Sequence, residues 1–230
     1  MKRSPQPIIA LDVPSLADAQ ALVGRLGPKA DFYKVGLQLF TAEGPGVVDW
    51  LHAQGKRVFL DLKLHDIPST VQKAAASAKR MRVALLTVHG IGGDAMVRAA
   101  VDGAGGQTGV LVVTVLTSMD AAAASAALGR PIASLRDEVL RLSALAAGAG
   151  ARGVVCSGAE CAAVRAAHEN RLEPLVPGLR TGTIAGDDQS RVVTPEEAAH
   201  VGAAYVVVGR AVTAASEPAH AFGDVLARLG

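Results

Sequence analysis

The chain has 230 residues, half of them hydrophobic, and 23 basic against 21 acidic side chains give it a formal net charge of +2. A chain of that length can bury about 70% of its unfolded surface, and a charged fraction of only 19% excludes an extended, solvated polymer. The near balance of charge excludes a broad electrostatic footprint for nucleic acid or an anionic membrane, and 3% aromatic residues leave no stacking platform for single strands.

Lys2 and Arg3 resemble the start of a secretory signal, but Pro5, Pro7 and Asp12 interrupt the apolar stretch that should follow. No run reaches the ~18 apolar residues of a membrane span. A soluble, cytoplasmic protein with no membrane partner is expected.

The first β-branched run covers residues 8–11 and ends at Asp12; Val13-Pro14 then leads to Ser15, a helix-starting residue for 15–26. The second run, 32–35, carries Lys34, and the third, 57–62, carries Asp61 with Lys63 just beyond it. Ser69, after Pro68, opens a predicted helix over 69–81. Further strand runs follow at 84–88 and 110–115, and the alanine-rich 120–127 reads as a loop and short helix. Helical stretches at 135–147 and 158–168 bracket a strand at 153–156, and the last strands lie at 175–176 and 204–208. Between these two, Thr194 followed by Pro195 marks another helix start. Cys156 and Cys161, spaced C-x4-C with no companion pair or nearby His, read as reduced packing residues rather than zinc ligands or a disulfide framework.

Eight uniformly apolar strands alternating with helices imply parallel βαβ units buried on both faces. Eight units in 230 residues fit a (β/α)8 TIM barrel of the α/β class, expected as one domain over residues 1–230. An open doubly wound sheet is the competing architecture. Leu11-Asp12-Val13-Pro14 stands where its glycine-rich fingerprint would follow the first strand.

A barrel collects its chemistry at the C-terminal strand ends. Those ends carry Asp12, Lys34, Asp61 and Lys63, Thr117-Ser118, Pro177-Gly178 and Gly209-Arg210. Asp61 and Lys63 are two apart and leave the same face of strand three. Asp12 and Lys34 arrive from the preceding strands, so carboxylates and ammoniums alternate around one point. A salt-bridge network plugging the barrel top would use the same residues, and a third carboxylate, Asp66, follows in the loop.

Asp61-Leu62-Lys63-Leu64-His65-Asp66-Ile67-Pro68-Ser69-Thr70 has the form D-x-K-x-x-D-I-P-x-T. With Ala10-Leu11-Asp12 before it and Tyr33-Lys34-Val35-Gly36 on strand two, it resembles the orotidine 5'-phosphate decarboxylase family. Val88-His89-Gly90, Leu116-Thr117-Ser118-Met119, Pro177-Gly178-Leu179-Arg180 and Val208-Gly209-Arg210 extend the resemblance in order along the chain. The D-x-K-x-x-D core alone is shared with sister sugar-phosphate enzymes. Leu179, where the family often has Ile, is the one mild departure.

The resemblance implies loss of CO2 from C6 of orotidine 5'-monophosphate to give UMP, with no metal and no cofactor. Lys63 would stabilise the C6 carbanion and donate its proton; Asp61 would face the substrate carboxylate and position Lys63. Asp12 and Lys34 would hold the ribose, Lys34 also joining the charge network, while Thr117 and Ser118 would meet the pyrimidine edge. The phosphate would lie at Gly209 and Arg210. Residues 181–191 would form a lid following Pro177, with Gln189 on the phosphate and Arg180 at the hinge. Asp66 and Thr70 would reach across a homodimer interface into the neighbouring site, although from the sequence alone Asp66 reads equally as a helix N-terminal charge. His65 and His89 read as packing or hydrogen-bonding groups. The rivals are a metal-dependent sister enzyme, which needs an acid where strand two has Phe32-Tyr33-Lys34, and a non-catalytic phosphate sensor.

Overall fold

Uniformly apolar runs and alanine-rich helical stretches alternate in the sequence, and each kind becomes one layer of the fold. The computed structural model describes residues 4–168, 171–180 and 192–230. The strands are β1 (Gln6–Ala10), β2 (Phe32–Gly36), β3 (Arg57–Leu64), β4 (Leu85–His89), β5 (Gly109–Val113), β6 (Gly153–Val155), β7 (Glu173–Val176) and β8 (Tyr205–Val208). They close in chain order into a parallel barrel, with β8 pairing back onto β1.

The helices are α1 (Leu16–Leu26), α2 (Leu37–Glu43), α3 (Gly46–Ala53), α4 (Pro68–Arg80), α5 (Gly93–Ala104), α6 (Ala121–Leu128), α7 (Leu135–Gly148), α8 (Gly158–His168), α9 (Pro195–His200), α10 (Arg210–Thr213) and α11 (Pro218–Leu229). Ser15, Asp120, Ser134 and Thr194 cap their helices through side-chain acceptors, and Thr194 with Glu197 forms a reciprocal capping box. Ser69 does not cap α4 as expected. Pro68 takes the first helical position and Ile67 the cap, because the ring presets the helical φ of Pro68 and keeps the residue before it extended.

Strand alternation divides the core in two. Ile8, Phe32, Phe59, Leu85, Leu111 and Leu175 fill the barrel interior. The intervening Ile9, Tyr33, Leu60, Leu86, Val112 and Val206 pack outward against the helices. Arg57 lies over the Phe32 ring at 4.2 Å and pairs with Asp31 at 3.2 Å, at the end of the barrel opposite the charged strand tips. Cys156 and Cys161 are buried and form no disulfide.

One irregularity bears on the site. β3 runs two residues beyond its predicted end, and its register against β4 slips between Leu60 and Leu64. Leu60 pairs with Leu86 and Leu64 with Val88, so residues 61–63 oppose Thr87 alone. Within this bulge Lys63 has φ 48°, in the left-handed region that glycine favours.

Candidate active site

A cavity of about 560 Å³ opens at the C-terminal strand ends. Asp12, Lys34, Asp61 and Lys63 form one wall, Thr117 and Ser118 another, and Pro177, Arg180, Gly209 and Arg210 complete it. Ten of the residues expected from the sequence therefore converge on one space.

The charged wall is a row of alternating sign. Lys34 Nζ lies 2.8 Å from Asp12 Oδ1 and 3.7 Å from Asp61 Oδ2, and Lys63 Nζ donates to that same Asp61 oxygen at 2.8 Å. Exposure is lowest in the middle of the row: the side chains of Lys34 and Asp61 are 10% and 12% exposed, those of Lys63 and Asp12 at its ends 32% and 62%. Burial by itself raises the Asp61 carboxyl, but the Lys34 and Lys63 ammoniums and hydrogen bonds from Lys63 and Thr87 outweigh it. Asp61 is thereby held below the usual carboxylate range. The row does not plug the barrel, since the cavity remains open above it.

Gly36 closes β2 on the Lys34 face, where β alternation would aim a side chain at the ion pairs. A Cβ there would meet the Lys34 ammonium, so the small residue makes room for the row.

Thr87 is a member of the site that the motif reading misses. It is fully buried, accepts from the Lys63 amide at 2.9 Å and donates to Asp61 Oδ1 at 2.8 Å. The available signal was a hydroxyl at the inward position of the otherwise apolar Leu85-Leu86-Thr87-Val88. Beyond it, the His65 and His89 rings lie with centroids 5.8 Å apart and their planes tilted by 47°. Burial first, and then the charges of His65 and Lys63, lower His89 from the ordinary imidazole value.

Thr117 and Arg180 are buried, Ser118 and Arg210 exposed. Arg180 Nη1 donates to the Leu179 carbonyl at 3.1 Å, and its amide to Val193 at 2.9 Å. Gly209 caps the single turn of α10, with Arg210 as its first residue. Gln189 and the proposed lid over 181–191 lie outside the described residues. Asp66 and Thr70 stand outside the cavity of their own chain, exposed on the rim where β3 enters α4, and Asp66 Oδ1 accepts from the Ile67 amide at 2.6 Å. Beside them Ile67 is 65% exposed, and Leu37 and Ile91, following the neighbouring strands β2 and β4, are exposed too.

Among the described residues no three His, Cys, Asp or Glu side chains are grouped to hold a metal, and no helix is long and apolar enough to cross a membrane.

Residues 5–225 match the model of the Orotidine 5'-phosphate decarboxylase / HUMPS family. The chain is 50% identical to the orotidine 5'-phosphate decarboxylase of Anaeromyxobacter sp. (strain K), with 100% of both chains covered. It is 43% identical to that of Halorhodospira halophila (strain DSM 244 / SL1), over 98% of this chain and 96% of the relative. The crystal structure of orotidine 5'-phosphate decarboxylase from Lactobacillus acidophilus matches with a TM-score of 0.86 at 32% identity, covering 99% of this chain and 100% of that one.

Proposed function

The chain belongs to the Orotidine 5'-phosphate decarboxylase / HUMPS family, and from that membership we propose that it converts orotidine 5'-monophosphate to UMP and CO2, the last step of de novo pyrimidine nucleotide synthesis, without metal or cofactor. The observation that carries the reading is the Lys34–Asp61–Lys63 row facing an open cavity, with the Lys63 ammonium at its accessible end.

The C6–carboxylate bond breaks with its electron pair left on C6, and that pair lies in the ring plane where no π-system absorbs it. Fixed positive charge must then meet it. The Lys63 ammonium does so and passes its proton to C6; water returns a proton to the amine. One ammonium at ~4 Å and an effective dielectric of ~20 supplies on the order of 4 kcal/mol, so Lys63 is one contributor among several to the barrier reduction. Asp61 holds Lys63 in place and stands against the substrate carboxylate, a like-charge contact that departs with CO2.

Asp12 and Lys34 bind the ribose hydroxyls, Thr117 and Ser118 the pyrimidine edge, and Gly209 with Arg210 the phosphate. Pro177 and Arg180 line the phosphate side of the cavity, and Gln189, which the family resemblance assigns to the phosphate, lies outside the described residues. The protein acts as a single-domain cytoplasmic homodimer, with Asp66 and Thr70 completing the neighbouring site. The exposed Leu37, Ile67 and Ile91 beside them supply apolar area for such an interface.

The test is disappearance of the orotidylate absorbance in the presence of EDTA. Undiminished turnover supports the reading. Loss of turnover, restored by added magnesium, would assign the chain to the metal-dependent sister chemistry instead.

A further inference from the structure

We infer that Thr87 is a positioning residue of this site: its hydroxyl selects which Asp61 oxygen faces the two ammoniums and holds Lys63 in its left-handed backbone conformation. The catalytic part of this inference rests on the decarboxylase reading; the structural part does not.

β4 is apolar from Leu85 through Val88 except at Thr87. Leu86 and Val88 pack outward against the helices, and alternation turns Thr87 inward, where it is fully buried. A hydroxyl without solvent must find partners in the protein. Thr87 finds one on each side of the bulge. The Lys63 amide can only donate, so Oγ1 accepts from it at 2.9 Å. The ionised Asp61 can only accept, so the hydroxyl proton goes to Oδ1 at 2.8 Å. Both directions are therefore set by chemistry.

The slipped register explains why a side chain is needed. Residues 61–63 oppose Thr87 alone, so this stretch of β3 has lost its regular ladder partners on β4. The Thr87 hydroxyl replaces one of them for the Lys63 amide, at a residue whose φ of 48° is strained for any side chain but glycine. On the other side, tying Oδ1 leaves Oδ2 as the oxygen that receives Lys63 Nζ at 2.8 Å and lies 3.7 Å from Lys34 Nζ. One hydroxyl thus controls both the backbone and the counter-ion of Lys63.

Thr87→Val keeps the shape and removes the hydroxyl; Thr87→Ser keeps the hydroxyl and loses the methyl. Misplacing a reacting group by a fraction of its contact distance is expected to lower kcat of the valine variant about 100-fold, with UMP affinity by calorimetry unchanged. The serine variant should retain the parent kcat. Two readouts are independent of turnover. In the valine variant the Asp61 carboxyl, followed by carbon NMR, should titrate at a higher pH than in the parent, because a hydrogen bond to its charged form is gone. Asp12 after β1, Lys34 on β2, Lys63 on β3 and His89 on β4 are the charged and titratable groups near Asp61, and neither variant alters them. The Lys63 amide should also exchange faster.

A valine variant with parental kcat, or a serine variant as slow as the valine one, overturns the inference. If the valine chain fails to fold, Thr87→Ala takes its place with the same expected loss, and a serine variant that loses kcat overturns the inference by itself. If the parent chain does not consume orotidylate, the decarboxylase reading fails, while the Asp61 titration and Lys63 exchange still decide what Thr87 does.

Discussion

Gly36 leaves the space that the Lys34 ammonium occupies: two residues apart on one face of β2, they are so close that a Cβ on Gly36 would lie 2.9 Å from Lys34 Nζ. The same Cβ would stand 3.3 Å from Asp12 Oδ1, the other end of that ion pair. Gly36 has φ −95°, which any residue adopts, so its constraint is spatial rather than conformational. Gly36→Ala is expected to fold with a thermal midpoint near that of the parent, because the end of a lysine can shift. It should lower kcat/KM at least tenfold by displacing Lys34 from Asp12 and Asp61. Parental kcat/KM with the alanine in place would show that the row tolerates displacement.

Lys63→Ala should abolish turnover while UMP still binds, since the ammonium is assigned to the transition state and the proton transfer. A variant keeping more than a few per cent of the parent kcat has not lost a transition-state interaction, and the assignment fails. The same substitution removes one of the cations that hold Asp61 low, so its carboxyl should titrate at a higher pH. A carboxyl depressed by folding stabilises the native state above its unfolded pKa, and that contribution disappears as pH falls through the folded value. Loss of Lys63 therefore moves the acid limb of the Asp61 contribution upward in pH, measurable by urea unfolding across the acid range.

Arg210→Ala should weaken UMP by roughly 2–3 kcal/mol through loss of a charge-assisted phosphate contact. Uridine, which lacks the phosphate, should bind parent and variant alike in a titration calorimeter. A matching loss for uridine would place Arg210 in folding or base recognition instead.

Subunit exchange tests the proposed sharing of Asp66. Lys63→Ala and Asp66→Asn chains, each inactive alone, are mixed at equal concentration. If Asp66 serves the neighbouring site, each hybrid dimer holds one doubly damaged site and one intact site. Random pairing makes half the dimers hybrids, so about a quarter of parental activity returns. If Asp66 serves its own chain, every hybrid site keeps one lesion and the mixture stays inactive.

The order of strands and the height of the charged residues were legible in the residues themselves. Uniformly apolar runs separated by helical stretches admit few arrangements besides a parallel barrel or an open parallel sheet, and a charge that ends such a run must lie at its rim. Boundaries were less legible, because a strand lasts only as long as its neighbour. The apolar run through Val115 leaves the ladder after Val113, since β6 ends at Val155 and Thr114 folds its amide and hydroxyl onto that carbonyl. The polar start of β1 at Gln6 was invisible as a strand because its pairing is supplied by Tyr205 of β8.

What the sequence determined by itself was therefore which side chains share the mouth of the barrel: alternation sends Asp61 and Lys63 to one side, and chain order brings Asp12 and Lys34 beside them. What only the tertiary structure decided is how those groups hold one another. The bulge at residues 61–63, the buried Thr87 hydroxyl beneath it and the missing Cβ at Gly36 all depend on contacts between residues distant in sequence. No local propensity encodes them. They arise because the slipped β3–β4 register leaves Thr87 opposite both Asp61 and Lys63, and because the β2 tip lies where the ion pairs need room.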